Sequence, residues 1–182
     1  YSSPPGSSST ELFNSRCTAC SLCVSVCPTS VLQPAVMQYG ISGIMQPFMD
    51  FSSGFCNYEC VLCGEVCPSG AIKKLTAGEK KLIQTGKSFF IKENCITYTN
   101  GTDCGACSEH CPTKAVHMVP FKNGLVIPEV NTDTCTGCGA CEHACPVRPN
   151  RAIYVDGNTL HRAAKPPEIK KMKKITESEF PF

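Results

Sequence analysis

The sequence predicts an α+β fold of two tandem, internally pseudo-twofold units, each made of short helices and small antiparallel β-hairpins. Three observations point to it. One four-cysteine pattern ending in Cys-Pro occurs four times in 182 residues. Between the third and fourth copies, the β-prone runs Ala115-Val116-His117-Met118-Val119 and Leu125-Val126-Ile127 flank an Asn123-Gly124 turn, the signature of a hairpin. Outside those copies, Ser88-Phe89-Phe90-Ile91 and Ala152-Ile153-Tyr154-Val155 are fit to pair as a second small sheet.

The four copies use all 16 cysteines. The first is Cys17, Cys20, Cys23 and Cys27, before Pro28; the second is Cys56, Cys60, Cys63 and Cys67, before Pro68. The third is Cys95, Cys104, Cys107 and Cys111, before Pro112; the fourth is Cys135, Cys138, Cys141 and Cys145, before Pro146. Thr18-Ala19, Gly64, Gly105-Ala106, Gly137 and Gly139-Ala140 put small residues between the cysteines, as a loop wrapped tightly around a compact core requires. Backbone N–H groups in such loops point at the sulfurs, and the proline behind the last cysteine fixes φ and removes a donor. This spacing is similar to the ligand run of bacterial ferredoxins, in which thiolates hold cubane clusters and the fourth cysteine serves the neighbouring cluster. It implies four [4Fe–4S] clusters as cofactors.

If the fourth cysteines cross over, the motifs work in pairs. One pairing joins Cys95, Cys104 and Cys107 with Cys145, and Cys135, Cys138 and Cys141 with Cys111. It likewise joins Cys17, Cys20 and Cys23 with Cys67, and Cys56, Cys60 and Cys63 with Cys27. The rival arrangement pairs the first motif with the fourth and the second with the third. Two departures from regular spacing, Cys56-x3-Cys60 and Cys95-x8-Cys104, mark altered surroundings at the second and third motifs.

Other uses of cysteine fit less well. A disulfide scaffold needs no such clustering and no repeated Cys-Pro. Structural zinc takes two-plus-two ligand pairs rather than three plus one, yet it remains a redox-inert alternative as an interaction module. With about 45 residues per motif and no tryptophan, the clusters themselves must serve as core, and the apo-chain should be largely unfolded. The formal charge of +2 counts every cysteine as neutral. Four oxidised clusters at about −2 each would take the loaded chain to roughly −6, so charge gives no reason to expect nucleic-acid binding. No stretch approaches the ~18–20 apolar residues that span a bilayer.

Residues 1–9, rich in serine and proline, read as a polar linker, followed by a first unit over 10–75 with a short helix from Thr10. Within 31–50, Ala35, Val36, Met37, Ile41, Ile44 and Met45 suggest a helix with Pro34 in its first turn, either covering the N-terminal clusters or presenting a docking surface. Thr76-Ala77-Gly78-Glu79 is a capping box that starts a connector helix over 76–87. The second unit is 88–160, and 161–182 is a basic tail with Lys165, Lys170, Lys171, Lys173 and Lys174. His110 and His143 lie within motifs that already have four cysteines and read as exposed neighbours of the sites. His117 falls in the hairpin and His161 in the tail. No nucleophile–base pair, phosphate loop or carboxylate dyad is evident, so the chain reads as an electron carrier rather than an enzyme.

The runs CTACSLCVSVCP, FCNYECVLCGEVCPSGAI and DCGACSEHCP, together with the fourth motif, resemble the multi-cluster ferredoxins (polyferredoxins) of the NapG/NapH and MauM type over residues 4–160. The resemblance implies single-electron transfer among redox partner proteins, with membrane subunits or a quinol-oxidising complex among them. It also implies membrane association, the periplasmic side favoured over the cytoplasmic, through a targeting or anchor segment upstream of Tyr1. The alternative within the same chemistry is an iron–sulfur subunit of a larger oxidoreductase.

Overall fold

The computed structural model describes residues 1–167. Its sheets are three separate antiparallel pairs of strands. The hairpin expected between the third and fourth motifs is β4 (Val116–Pro120) with β5 (Val126–Val130), in the register Val116↔Val130 to Pro120↔Val126. Asn123 and Gly124 at its turn both have positive φ, 56° and 75°, as a tight reversal demands. The second sheet also forms: β3 (Ile83–Phe90) pairs with β6 (Ile153–Ala163), with Ser88↔Val155 and Phe90↔Ile153 in register. Both strands run longer than the four residues read from sequence, and a register irregularity lies between Gln84 and Gly86.

Helices are short and sit at the cysteine motifs. The first, α1 (Thr10–Arg16), is capped by Ser9, whose hydroxyl accepts from the Leu12 N–H, and it delivers the chain to Cys17. One-turn helices follow inside the motifs: α2 (Leu22–Ser25), α3 (Leu62–Glu65), α6 (Ala106–Glu109) and α7 (Ala140–Ala144). Here α2 packs on α3, and α6 on α7. Between them α4 spans Ala77–Lys81 and α5 spans Ile96–Thr99.

Several expectations need correction. The capping box at Thr76 and Glu79 forms, but the helix ends at Lys81, and residues expected to continue it to Gly86 lie in β3. Pairing with β6 satisfies their backbone where an isolated helix of this length would be marginal. The helix drawn over 31–50 does not form. Instead β1 (Leu32–Pro34) and β2 (Pro47–Met49) make a hairpin, with Leu32 and Met49 buried at its base. Proline at both ends suits this edge pairing better than a helix. The tip is not a cover over the sites: Val36, Met37, Ile41, Ile44 and Met45 are all exposed.

Residues 1–9 are not a solvated linker. Ser2, Ser3 and Ser7 are buried, and Ser2 and Ser9 form bridges to Met49 and Leu160. Burial is tolerated because the hydroxyls find partners: Ser2 Oγ donates to Thr85 O (3.2 Å), and Ser3 bonds Ser7 (2.8 Å) and His161 Nε2 (3.1 Å). His161 is accordingly part of β6 rather than of a tail. The loop within the third motif contains α5, with Thr97 fully buried. Lys165 pairs with Asp133 (2.6 Å), while Lys170, Lys171, Lys173 and Lys174 lie outside the described residues.

The interior consists of two clusters of buried side chains. In one, Cys95, Cys111, Cys135, Cys141 and Cys145 pack with Ala115, Val116, Ala152 and Ile153. In the other, Phe13, Cys23, Val31, Leu32, Met49, Phe51, Ala71 and Ile72 meet the half-buried Cys17, Cys27, Cys56, Cys63 and Cys67. So cysteine supplies much of the core in both.

Candidate metal centres

The fold gathers the cysteines into sets of four. Cys27, Cys56, Cys60 and Cys63 line one pocket, with Pro28, Val31, Leu32, Met49 and Leu62. Cys95, Cys104, Cys107 and Cys145 line a second, among Phe90, Ile96, Val147 and Ile153. Cys17, Cys20, Cys23 and Cys67 line a third, with Phe13, Leu22 and Ile72. The remaining four, Cys111, Cys135, Cys138 and Cys141, feel one another electrostatically at the base of α7. Each set takes three cysteines from one motif and the fourth from its neighbour, first with second and third with fourth. The rival grouping, first with fourth and second with third, is not what the chain brings together.

Local backbone explains how three thiols of a loop converge. In the first motif Ala19 and Ser21 have positive φ (53° and 59°), and in the fourth the equivalent Gly137 and Gly139 do (75° and 78°). Two left-handed residues turn the tight C-x2-C-x2-C loop around its contents. Glycine adopts that conformation without strain, whereas each L-residue costs roughly 1–2 kcal/mol. In the second and third motifs the wider first gap relieves this need, and Val61 and Gly105 before their helices have negative φ.

Exit turns add donors that sequence reading missed. Behind the last cysteine of three motifs, the residue after proline is Thr29, Ser69 or Thr113, and its hydroxyl lies 3.7, 3.7 and 3.6 Å from the Sγ of Cys27, Cys67 and Cys111. The signal was legible as Cys-Pro-[Ser/Thr] repeated three times. After Cys145 the corresponding residue is Val147, which offers no hydroxyl. The Ile72 N–H also donates to Cys67 Sγ (3.4 Å), and Ser88 Oγ of β3 lies 3.3 Å from Cys141 Sγ.

These surroundings decide which thiols ionise readily. Burial pushes Cys23 up to about 11 and Cys63, Cys107 and Cys138 up to about 12, and neighbouring thiolates push the same way. Cys141 is raised by burial as well. At Cys27 and Cys67 burial also raises the pKa, but backbone N–H groups and the Thr29 and Ser69 hydroxyls outweigh it and leave both thiols low. Four thiols held together in an apolar cavity resist ionisation by mutual repulsion, and a bound polycationic core reverses that penalty. The donor set therefore fits an iron–sulfur core: four sulfurs, apolar walls and N–H or O–H groups aimed at sulfur. Among the described residues no three metal-binding side chains converge as a single ion would require; the thiols ring cavities instead.

The histidines stay outside these sets. His110 Nδ1 bonds its own helix at Ala106 O, His117 pairs with Glu129, and His143 Nδ1 meets Phe51 O. His161 is half-buried, its Nδ1 has no partner among the described residues, and burial lowers its pKa to about 4.

The second and fourth motifs also meet across the molecule. Cys56 N–H donates to Cys138 O (2.8 Å), Arg151 donates to Phe51 O (2.8 Å), and the Phe51 ring lies against Gly139.

Comparison with known proteins agrees with this chemistry. Residues 100–148 match a 4Fe-4S dicluster domain and residues 11–33 a 4Fe-4S binding domain. The chain is 31% identical over 144 residues to the ferredoxin-type protein NapG of Escherichia coli K12, covering 74% of this chain and 61% of that protein. It is 28% identical over 134 residues to the ferredoxin-type protein NapF of the same organism, covering 74% and 73%. It is 32% identical over 140 residues to the methylamine utilization ferredoxin-type protein MauM of Methylobacillus flagellatus, covering 74% and 59%. The chain thus spans about three-fifths of the length of its NapG and MauM relatives. The chain is similar to these ferredoxin-type proteins, and both matched regions correspond to 4Fe-4S binding domains.

Proposed function

We propose that this homologue of the ferredoxin-type NapG, NapF and MauM proteins relays single electrons through four [4Fe–4S] clusters, two in each of two tandem dicluster units. The observation that carries the reading is the sorting of all 16 cysteines into four crossed sets, three of them lining an apolar cavity each. When bound, each cluster supplies a one-electron couple. The chain's own residues do the rest. Cysteine sulfurs hold each core, apolar walls limit water, and N–H and O–H donors set how readily each site accepts charge.

Contacts between motifs suggest a linear order. The site of Cys17, Cys20, Cys23 and Cys67 adjoins that of Cys27, Cys56, Cys60 and Cys63 within one buried cluster. The latter meets the site of Cys111, Cys135, Cys138 and Cys141 through the Cys56–Cys138 hydrogen bond. That site shares the other buried cluster with Cys95, Cys104, Cys107 and Cys145. On this reading electrons enter at one outer site and leave at the other, exchanged with redox partner proteins. The exposed apolar tip of the β1–β2 hairpin is one surface available to such a partner.

No substrate-transforming role is assigned to the chain, whether it works as a free carrier or as a subunit of a larger oxidoreductase. Membrane association with the periplasmic side favoured, and an anchor or targeting segment upstream, rest on the resemblance alone; cell fractionation tests them. No described helix is long and apolar enough to cross a membrane. The experiment that tests the relay is iron and acid-labile sulfide per chain after anaerobic purification. About 16 of each, four per cluster, is expected. Stoichiometric zinc with little iron in protein protected from cluster loss would overturn it.

A further inference from the structure

Lys80 is the one buried lysine among the described residues, at 7% exposure, and α4 is short enough that a surface position was open to it. Its neighbour Lys81 takes such a position, paired with Glu59 at 2.5 Å. Lys80 instead turns inward, where Nζ donates to Asn57 O, the carbonyl next to Cys56. It lines a small cavity together with Cys56 and Cys138, one thiol from each motif that meets across the molecule, and with Pro5, Tyr58, Ile83, Thr85 and Thr136. No carboxylate pairs with it among the described residues. A buried ammonium without a counter-charge is costly, by several kcal/mol in general. The anions that can answer it are the two thiolate sets themselves, whose Cys56 and Cys138 line the same cavity.

We propose that Lys80 is the shared counter-ion of the two interior iron–sulfur sites and holds their potentials above the value their surroundings would otherwise give. The inference rests on the four-cluster reading above. Each one-electron reduction makes a site one unit more negative, the electron coming from a donor protein or, in the test, from dithionite. A fixed positive charge beside Cys56 and Cys138 favours that added electron at both. The outer sites, built on Cys17, Cys20, Cys23 and Cys67 and on Cys95, Cys104, Cys107 and Cys145, have no part in this cavity. Lys80 therefore makes the middle of the relay easier to reduce than its own thiol environment allows. It acts through charge on sulfur and touches no partner.

The test is a potentiometric titration with dithionite, followed by electron paramagnetic resonance, on full-length protein assayed for iron and sulfide. In Lys80→Gln, which keeps a donor for Asn57 O but removes the charge, two of the four centres should become harder to reduce by about tenfold or more, ~59 mV per tenfold for one electron. The other two should hold, and Lys80→Arg should keep all four near wild type. Ile83→Glu, which keeps the lysine and adds a carboxylate to the same cavity, should lower the same two and stands in if Lys80→Gln assembles poorly. Four unmoved centres, or four moving together, overturn the proposal. So does loss of iron from all four sites in both variants, which would mark Lys80 as a general packing residue. Wild-type protein with fewer than four clusters would instead sink the relay reading, so the two failures are distinguishable.

Discussion

If the chain holds the four clusters proposed, substituting Gly137 by alanine should cost it one of them while the others stay loaded. Gly137 lies in the fourth motif with φ +75°, and a Cβ there would sit 2.4 Å from Gly86 N and 2.7 Å from Gly86 Cα and O. Ordinary contact begins at 3.4 Å, so the motif and β3 would have to part by about 1 Å, the difference between 3.4 and 2.4 Å. Backbone cannot rotate away as a side chain can. The bonds that hold the motif on β3 would stretch with that shift: Thr85 N–H to Thr136 O (3.0 Å), Gln84 Nε2 to Cys135 O (2.7 Å) and Ser88 Oγ with Cys141 Sγ (3.3 Å). Left-handed strain contributes about 1–2 kcal/mol and overpacking about 1–3 kcal/mol. Their sum, about 2–5 kcal/mol, is a large share of the ~5–15 kcal/mol that holds a typical domain together. Iron and sulfide per chain should fall from about 16 toward about 12, with loss of one set of resonance signals. Gly101→Ala is the matched control, since φ there is +65° but nothing lies within 4 Å of the added carbon. It should cost only the strain and keep its iron. Full iron and an unchanged melting temperature in Gly137→Ala would refute the reasoning that this close backbone approach builds the site.

Three other outcomes follow from the geometry. Val147→Thr should supply Cys145 with the hydroxyl that its three counterparts have, raising the potential of that outer site alone by ~40 mV, the one-electron equivalent of about 1 kcal/mol for a hydrogen bond; Thr113→Val should lower the neighbouring site by a similar amount, and titration of each variant checks both. His161, held neutral by burial with its pKa near 4 against an ordinary 6.5, should make the protein less stable as pH falls from about 6.5 to 4, because the unfolded chain takes up the proton first; the loss approaches about 3 kcal/mol, and His161→Phe should flatten it. Amide exchange of residues 2–9 at pH 5 and pH 7 reads that change locally, since Ser3 bonds the ring. Iron chelation should abolish exchange protection in both halves together with visible absorbance, since cysteines make up much of both buried clusters; protected amides in the iron-free chain would contradict a core built around metal.

Local pattern carried a large part of this protein in its sequence alone. Cysteine spacing, the Asn123-Gly124 turn and the apolar runs at 88–91 and 152–155 are short-range signals, and the strands they imply are present. So was the capping box at Thr76, because its partners lie three residues apart. What failed was read from composition where long-range contacts decide. Serine-rich residues 2–7 are buried because Thr85 O and His161, far along the chain, satisfy their hydroxyls. Residues 83–86 leave the predicted helix because β6 offers a partner about 75 residues on. Apolar residues at 36–45 project outward because Pro34 and Pro47 fold the segment back as a hairpin, whose buried faces lie at its base. Which cysteines face one another, how the second motif meets the fourth, and where Lys80 points are properties of packing. Spacing along a chain sets which thiols can share a loop, but only the closing of that loop against distant segments decides which sulfur, hydroxyl or ammonium stands beside them.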